Sequence, residues 1–246
     1  MTADTSEAPV AALPPPPAAV SCMGLARRFG RRWAFSRVDL EVPAGQRLLV
    51  MGANGSGKTT LLKVISTLLA PSLGQLRVCG IDPAEDPAAA RRRLHLLSHS
   101  LGLYEDLSGE DNLRVFGRLL GKDDLDVDPV LRQVGLERRP DPIRAYSAGM
   151  RKRLQLAALL VKGPELTLLD EPFAALDPLG CAAVEGLIAA LPGAVIVASH
   201  QVVRASRLCE RAILMDQGAV RWMGPAEQAV EAWRALHGGD DLQGGG

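Results

Sequence analysis

The chain has 246 residues, of which 47% are apolar, and its 28 basic side chains are balanced by 28 acidic ones. This apolar content is enough for a full core, whereas the zero net charge excludes bulk electrostatic attraction to nucleic acid or anionic lipid. The four cysteines match no metal-binding or thiol-redox spacing, and no apolar run approaches the ~18 residues that a membrane helix needs. We therefore expect a globular protein of a reducing compartment, without nucleic acid as a partner.

The two ends of the chain differ in composition from the rest. Residues 8–20 are apolar, but they include the prolines at 14–17, and no Lys or Arg precedes Arg27, so both parts of a signal peptide are missing. We predict disordered tails at residues 1–20 and 238–246. Residues 21–237 are predicted to form one domain.

The first predicted elements are antiparallel strands between residues 22 and 50, and the apolar run at 48–51 is typical of a buried strand. A phosphate-loop pattern, GxxxxGK[ST], follows directly. Its residues are Gly52, Ala53, Asn54, Gly55, Ser56, Gly57, Lys58 and Thr59, with Thr60 next to them. A helix is predicted from residue 57 to about 69, before Pro71.

This loop has the chemistry of a nucleoside triphosphate site. Glycines let the backbone present its N–H groups to phosphate oxygens, and the positive end of the helix points at the same charge. Lys58 supplies a mobile charge, although only five of the 28 basic residues are lysines, and the Thr59 hydroxyl can ligate Mg²⁺. The alternative is a Gly-rich turn without a ligand.

The rest of the chain predicts a strand at 75–78, a helical region at about 88–162, and a parallel βαβ unit. In the helical region, Ser108 begins a capping box with Asp111, and Ser147 precedes an apolar run with helical spacing. Buried strands at 166–170 and 194–199 flank a helix at 180–191. A hairpin is expected around Gln217 and Gly218.

Two carboxylates end the strand at 166–170. Asp170 can hold Mg²⁺ directly or through water, and Glu171 can polarise the water that attacks the γ-phosphate. In isolation an Asp-Glu-Pro sequence is also a common surface turn. Its place downstream of a phosphate loop favours the catalytic interpretation.

Residues 146–151 carry a family resemblance. The sequence Tyr-Ser-Ala-Gly-Met-Arg, 23 positions before Asp170, resembles the Leu-Ser-Gly-Gly-Gln signature of ABC-type ATPases. The resemblance implies that the signature binds the γ-phosphate of the ATP held by a second subunit, through Ser147, Ala148, Gly149 and Met150. The alternative is a plain Ser N-cap.

Other family elements match in order. Asp177 lies where the family has the loop that passes between the two subunits, and His200 matches the switch histidine that contacts the γ-phosphate. Phe29 lies where the family has an aromatic that stacks on adenine. A core phenylalanine and a structural strand-end histidine are the alternatives. His99 stands in place of the usual Mg²⁺-contacting Gln, which predicts weaker or pH-dependent metal sensing.

The resemblance covers residues 22–224. It implies an α/β fold, the P-loop NTPase of ABC ATPase type, with a mixed core sheet, an antiparallel β subdomain and an inserted helical subdomain at about 88–162. It implies ATP hydrolysis with ATP and Mg²⁺, a homodimer of ATPase subunits, and an integral membrane permease docked near residues 104–107. The protein would then lie at the cytoplasmic face of the plasma membrane as a peripheral subunit.

The transported substrate is a finer question. Residues 170–177, His99, residues 112–116 and residues 199–201 resemble the ATP-binding subunit of the haem exporter of bacterial cytochrome c maturation, and this interpretation is preferred. The rival is a drug or lipid efflux ATPase, since residues 146–150 resemble those subunits too. Chromosome and DNA-repair ATPases are disfavoured because no heptads separate Lys58 from Tyr146, and two-cassette translation factors because one cassette fills the chain.

Overall fold

The computed structural model describes residues 17–98 and 102–238. Residues 1–16 and 239–246 of the tails predicted at 1–20 and 238–246, and the predicted metal contact His99, lie outside the described residues. The folded part begins slightly before the predicted boundary at residue 21. Ala19 and Val20 are both buried, because the first strand pairs from Val20 onward with two neighbours.

Strands and helices alternate along most of the described chain. The strands are β1 (Val20–Phe29), β2 (Arg32–Val42), β3 (Arg47–Met51), β4 (Leu73–Val78), β5 (Leu94–Leu97), β6 (Leu166–Asp170), β7 (Ala194–Ser199), β8 (Arg211–Asp216) and β9 (Ala219–Pro225). The α-helices are α1 (Lys58–Ile65), α2 (Pro87–Arg93), α3 (Gly109–Leu119), α4 (Asp128–Gln133), α5 (Ala148–Lys162), α6 (Pro178–Ala189), α7 (Val202–Ala205) and α8 (Ala229–His237).

Two sheets form the scaffold, which confirms the predicted fold class. Strands β2, β1 and β4 make a three-stranded antiparallel sheet in that order. The six-stranded core sheet has the order β5-β6-β7-β3-β8-β9, and all its pairs are parallel except the β8–β9 hairpin. Because parallel neighbours end at the same edge, the residues that follow β3, β6 and β7 are brought together there.

Three apolar clusters pack these elements. Two lie on the core sheet, one of them shared with the antiparallel sheet and α1, the other with α5, α6 and α8. The third joins α3, α4 and α5 in the helical subdomain, around fully buried side chains such as Leu113 and Leu154. Truncating such a leucine to alanine costs about 2–5 kcal/mol of folding free energy, so the subdomain has a core of its own.

The structure differs from the sequence prediction in two places. The segment 94–97, placed in the helical region by the prediction, is strand β5, which pairs with β6 at the edge of the core sheet. Helix α1 ends at Ile65 rather than about residue 69, because Thr67 takes a left-handed backbone conformation with φ of +65°. Within 17–98 and 102–238, no helix is long and apolar enough to cross a membrane.

Candidate functional site

The phosphate loop turns directly from the end of β3 into α1, and two of its glycines are required by space. A Cβ on Gly52, where φ is +156°, would lie 2.3 Å from the Met215 carbonyl oxygen. A Cβ on Gly57, where φ is +108°, would lie 2.6 Å from the Ala34 carbonyl oxygen. Any side chain at either position would push the loop away from the strands that support it.

Lys58 is buried at the centre of this loop, with only 5% of its surface exposed. Its Nζ donates hydrogen bonds to the carbonyl oxygens of Gly52 (2.7 Å) and Ala53 (3.1 Å), and it lies 3.8 Å from Glu171 Oε1. Burial lowers the pKa of Lys58, and the charges of Glu171 and Asp170 oppose that effect. An anion bound in the loop would likewise favour the charged ammonium.

Oxygen atoms suited to Mg²⁺ meet where α1 begins and β6 ends. The Thr59 hydroxyl donates a 3.0 Å hydrogen bond to Asp170 Oδ1, although 111 positions separate the two residues. A hydroxyl and a carboxylate are the ligands that Mg²⁺ prefers beside nucleotide phosphates. The residues therefore fit the ion: Thr59 and Asp170 would hold it, and it would offset the negative charge of the phosphates.

Ser56 adds a further polar atom to the loop. Its Oγ is buried and has no hydrogen-bond partner within the described residues. An unpaired buried hydroxyl is costly, so its presence beside Lys58 is consistent with a ligand that completes the hydrogen bonding.

Glu171 follows β6 in a strained left-handed conformation, with φ of +48°. Its carboxylate accepts hydrogen bonds from Ser199 Oγ (3.2 Å) and from the backbone N–H of His200 (3.1 Å), at the end of the neighbouring strand β7. The His200 Nδ1 lies 2.9 Å from Glu171 Oε2 but is not aligned for a hydrogen bond. The carboxylate is thus held at the rim of the loop, where it can accept a proton from water.

Most of the loop and Glu171 border one cavity of about 650 Å³, the phosphate cavity, whereas Asp170 and His200 do not line it. It is lined by Phe29, Arg32, Trp33, Ala34, residues 53–60, Glu171 and residues 216–218. Phe29 is 50% exposed, so it is not the core side chain that its alternative interpretation required. The structure brings Phe29, Lys58, Thr59 and Glu171 to the same cavity.

Sequence reasoning missed two parts of this cavity. Trp33 pairs with Arg28 across the β1–β2 hairpin and is 44% exposed. Its position four residues after Phe29 is the signal in the sequence that could have found it. The turn between β8 and β9 also contributes, since the Gly218 N–H donates to the Ser56 carbonyl oxygen at 3.1 Å. No local pattern links Gly218 to the loop 162 positions earlier.

The signature residues lie elsewhere, in a second cavity of about 500 Å³, the signature groove. It is lined by Ser147, Ala148, Gly149, Arg153, residues 175–177, Leu179, Gly180 and Ala183, none of which lines the phosphate cavity. The Ser147 hydroxyl caps α5 by accepting from Met150 N (3.2 Å), and Asp177 Oδ1 caps α6 by accepting from Gly180 N (2.6 Å). Both side chains therefore have a structural role within the chain.

Met150 departs from the expected arrangement. Its side chain packs with the helical-subdomain core, and its sulfur lies 3.8 Å from Arg139 Nη1. Met150 does not line the signature groove, and its backbone N–H donates to the Ser147 hydroxyl in the first turn of α5. The Mg²⁺ contact of His99 stays a prediction.

Known proteins resemble this chain in both sequence and fold. The sequence profile of the ABC transporter family matches residues 35–174, which include the phosphate loop, the signature and both carboxylates. The chain belongs to the ABC transporter family. It is an ATP-hydrolysing subunit of that family, and it uses ATP with Mg²⁺.

Individual relatives give finer detail. The chain is 38% identical, over 91% of its length, to a daunorubicin resistance ATP-binding protein of Streptomyces coeruleorubidus, and it spans 72% of that protein. It is 41% identical to a cytochrome c biogenesis ATP-binding export protein of Methylococcus capsulatus, over 65% of this chain and 78% of that protein. A solved ATP-binding subunit of an ABC transporter is 25% identical, with a TM-score of 0.75 over 89% of this chain and 95% of that one.

Proposed function

We propose that this protein is the ATPase subunit of an efflux ABC transporter that exports an amphipathic drug-like or lipid-like molecule. The observation that carries the proposal is the similarity to a daunorubicin resistance protein over 91% of the chain. This similarity supports efflux better than the haem-export interpretation that the sequence patterns alone favoured.

Haem export for cytochrome c assembly is the second candidate. It is favoured by the higher identity, 41%, to the cytochrome c biogenesis protein, but that match covers only 65% of the chain. The residues of the described site recognise nucleotide rather than a transported solute, so both candidates share the same ATPase chemistry.

In the proposed catalytic cycle, the phosphate cavity binds ATP and Glu171 activates the attacking water. Lys58 neutralises charge on the β- and γ-phosphates, Phe29 stacks on the base, and His200 contacts the γ-phosphate beside Glu171. The signature groove of a second, identical chain closes over the same ATP through Ser147 and Gly149. Support comes from the separation of the two cavities, because a single chain does not bring Ser147 to its own phosphate loop.

The subunit is proposed to dock on an integral membrane permease at the cytoplasmic face of the plasma membrane. Tyr104 is 54% exposed at the turn before α3, and Leu119 is 74% exposed at its end. Large exposed apolar side chains on the subdomain that carries the signature suit a protein partner. Such a contact would couple movement of the signature groove to the permease.

A chromosomal Glu171→Gln substitution in the producing organism tests the function. Efflux predicts increased accumulation of an anthracycline such as daunorubicin, with normal amounts of covalently bound haem in c-type cytochromes. Haem export predicts the opposite pair of results. Normal drug accumulation together with normal cytochromes would contradict both haem export and the export of an anthracycline-like drug.

A further inference from the structure

Arg27 and Phe29 lie two residues apart on β1, so their side chains project from the same face of the strand. The guanidinium carbon of Arg27 is 4.8 Å from the centroid of the Phe29 ring, well within cation–π range. The guanidinium therefore covers part of a ring that also lines the phosphate cavity.

Arg27 is itself anchored. Its Nη1 donates a 2.8 Å hydrogen bond to the carbonyl oxygen of Ala70, in the loop that follows α1. The same loop is bonded to β1 by Ser72, whose N–H donates to the Ala26 carbonyl at 2.7 Å. The Nε of Arg27 is buried without a hydrogen-bond partner in the described residues. Because burial removes this Nε from water, the side chain is held by its contacts with Ala70 and Phe29 rather than by solvent.

The neighbouring Arg28 provides a contrast. It lies over Trp33 at the longer distance of 5.8 Å, and its side chain makes no hydrogen bond with another described residue. Arg28 meets the loop that follows α1 through its backbone N–H, which donates to Ser72 Oγ at 3.2 Å, whereas Arg27 is bonded to that loop through its guanidinium.

We propose that Arg27 is a positioning residue for nucleotide binding: it supports the Phe29 ring from one side, so that the ring is presented to the nucleobase in a fixed orientation. The proposal rests on the base-stacking role proposed for Phe29. A half-exposed phenylalanine near the end of a hairpin would otherwise exchange rotamers, and binding would have to immobilise it. Arg27 removes part of that cost before ATP arrives.

The test compares ATP with inorganic triphosphate, each with Mg²⁺, by calorimetric titration of the full-length protein. In Arg27→Met, which keeps an unbranched side chain of similar length, the Kd for ATP should rise about 3- to 10-fold. The Kd for triphosphate should not change, because it lacks the base. The KM for ATP should rise in step while kcat stays near the parental value. Arg31→Met, which removes an exposed charge from the same hairpin, is the matched control and should leave both Kd values unchanged.

The double variant Arg27→Met/Phe29→Leu distinguishes the positioning role of Arg27 from the base-stacking role proposed for Phe29. Arg27→Met should weaken ATP binding no further once the Phe29 ring is gone. An undiminished effect in that background, or weaker triphosphate binding, would show that Arg27 acts on the nucleotide or the loop directly and would overturn the positioning role. If Phe29→Leu weakens ATP binding but Arg27→Met does not, the Arg27 proposal alone is wrong. If Phe29→Leu leaves ATP binding unchanged, the base-stacking role is wrong and the Arg27 proposal falls with it.

Discussion

The phosphate cavity and the signature groove are organised in different ways. Around the phosphate cavity, functional side chains bond to each other across distant parts of the chain, as Thr59 does with Asp170 and Ser199 with Glu171. In the signature groove, Ser147 and Asp177 bond only to the first turns of their own helices. One region is preorganised by contacts between distant parts of the chain, whereas in the other each side chain caps the helix that it precedes.

The difference follows from where each region lies in the fold. Three adjacent parallel strands, β3, β6 and β7, end at one edge and fix the phosphate cavity through the core sheet. The signature groove is formed by the starts of α5 and α6, two helices that share one apolar cluster on the core sheet. We therefore expect substitutions in different parts of the molecule to change different quantities. These are catalysis, subdomain packing, intersubunit contact and helix stability, in order of decreasing effect.

The largest effect is expected inside the phosphate cavity. Glu171→Gln should lower ATP turnover about 10²- to 10⁴-fold, the range for loss of a general base, while ATP still binds. Phosphate release measures the first quantity and calorimetry the second. Glu165→Gln changes an exposed carboxylate just before the same strand, paired with Arg93, and should have no effect on turnover. Near-parental hydrolysis by Glu171→Gln would remove the catalytic role.

The contact between the core sheet and the helical subdomain should respond to pH. His95, on β5, contacts Phe116 of α3 edge-on, and burial lowers the pKa of His95 to about 4, with a smaller contribution from Lys162. The unfolded chain, with an ordinary pKa near 6.5, binds the proton more readily, so folding stability should fall as pH drops from about 6.5 to 4, by up to about 3 kcal/mol.

Denaturant unfolding of the parent and of His95→Leu across this pH range checks the prediction. Because the chain has three other histidines, the informative quantity is the difference in free energy of unfolding between the two proteins. As pH falls, the free energy of unfolding of the parent should fall relative to that of His95→Leu by the amount attributed to His95. A constant difference would show that His95 is not protected from protonation in the folded state.

A smaller effect on turnover is expected in the signature groove. Ser147→Ala should lower hydrolysis about 10- to 100-fold, corresponding to one hydrogen bond to a charged phosphate, without changing ATP binding to the separate chain. Ser108→Ala is the matched control, since Ser108 caps α3 in the same way but lies outside both cavities. If the two substitutions alter turnover equally, Ser147 is a helix cap and nothing more.

The smallest expected effect concerns the cap of α6. Asp177→Ala should lower the free energy of unfolding by about 1 kcal/mol, because Gly180 N loses its acceptor. Asp177→Asn keeps the acceptor oxygen and should retain most of this stability. Thermal unfolding measures both, and equal losses in the two variants would attribute the effect to charge rather than to capping.

Much of the scaffold could be read from local patterns. The buried strands β6 and β7, the Ser108 and Ser147 caps and the hairpin at Gln217 each depend on a few adjacent residues, and each lies where expected. Strand β5 was missed because four residues after an arginine-rich helix carry too little periodicity to distinguish strand from helix. Its assignment depends on pairing with β6, which is 72 positions away.

The sequence by itself determined the chemistry of this protein: a phosphate loop, a carboxylate pair and a signature in a fixed order, because those residue types at that spacing have few other uses. The tertiary structure alone decided how they are distributed. Hydrogen bonds and packing between residues far apart in the chain place Thr59 on Asp170, His200 beside Glu171 and Arg27 behind Phe29, and they keep Ser147 in a separate groove. Local propensity contains no information about such contacts, because they exist only once the sheet has formed and its strand ends meet at one edge.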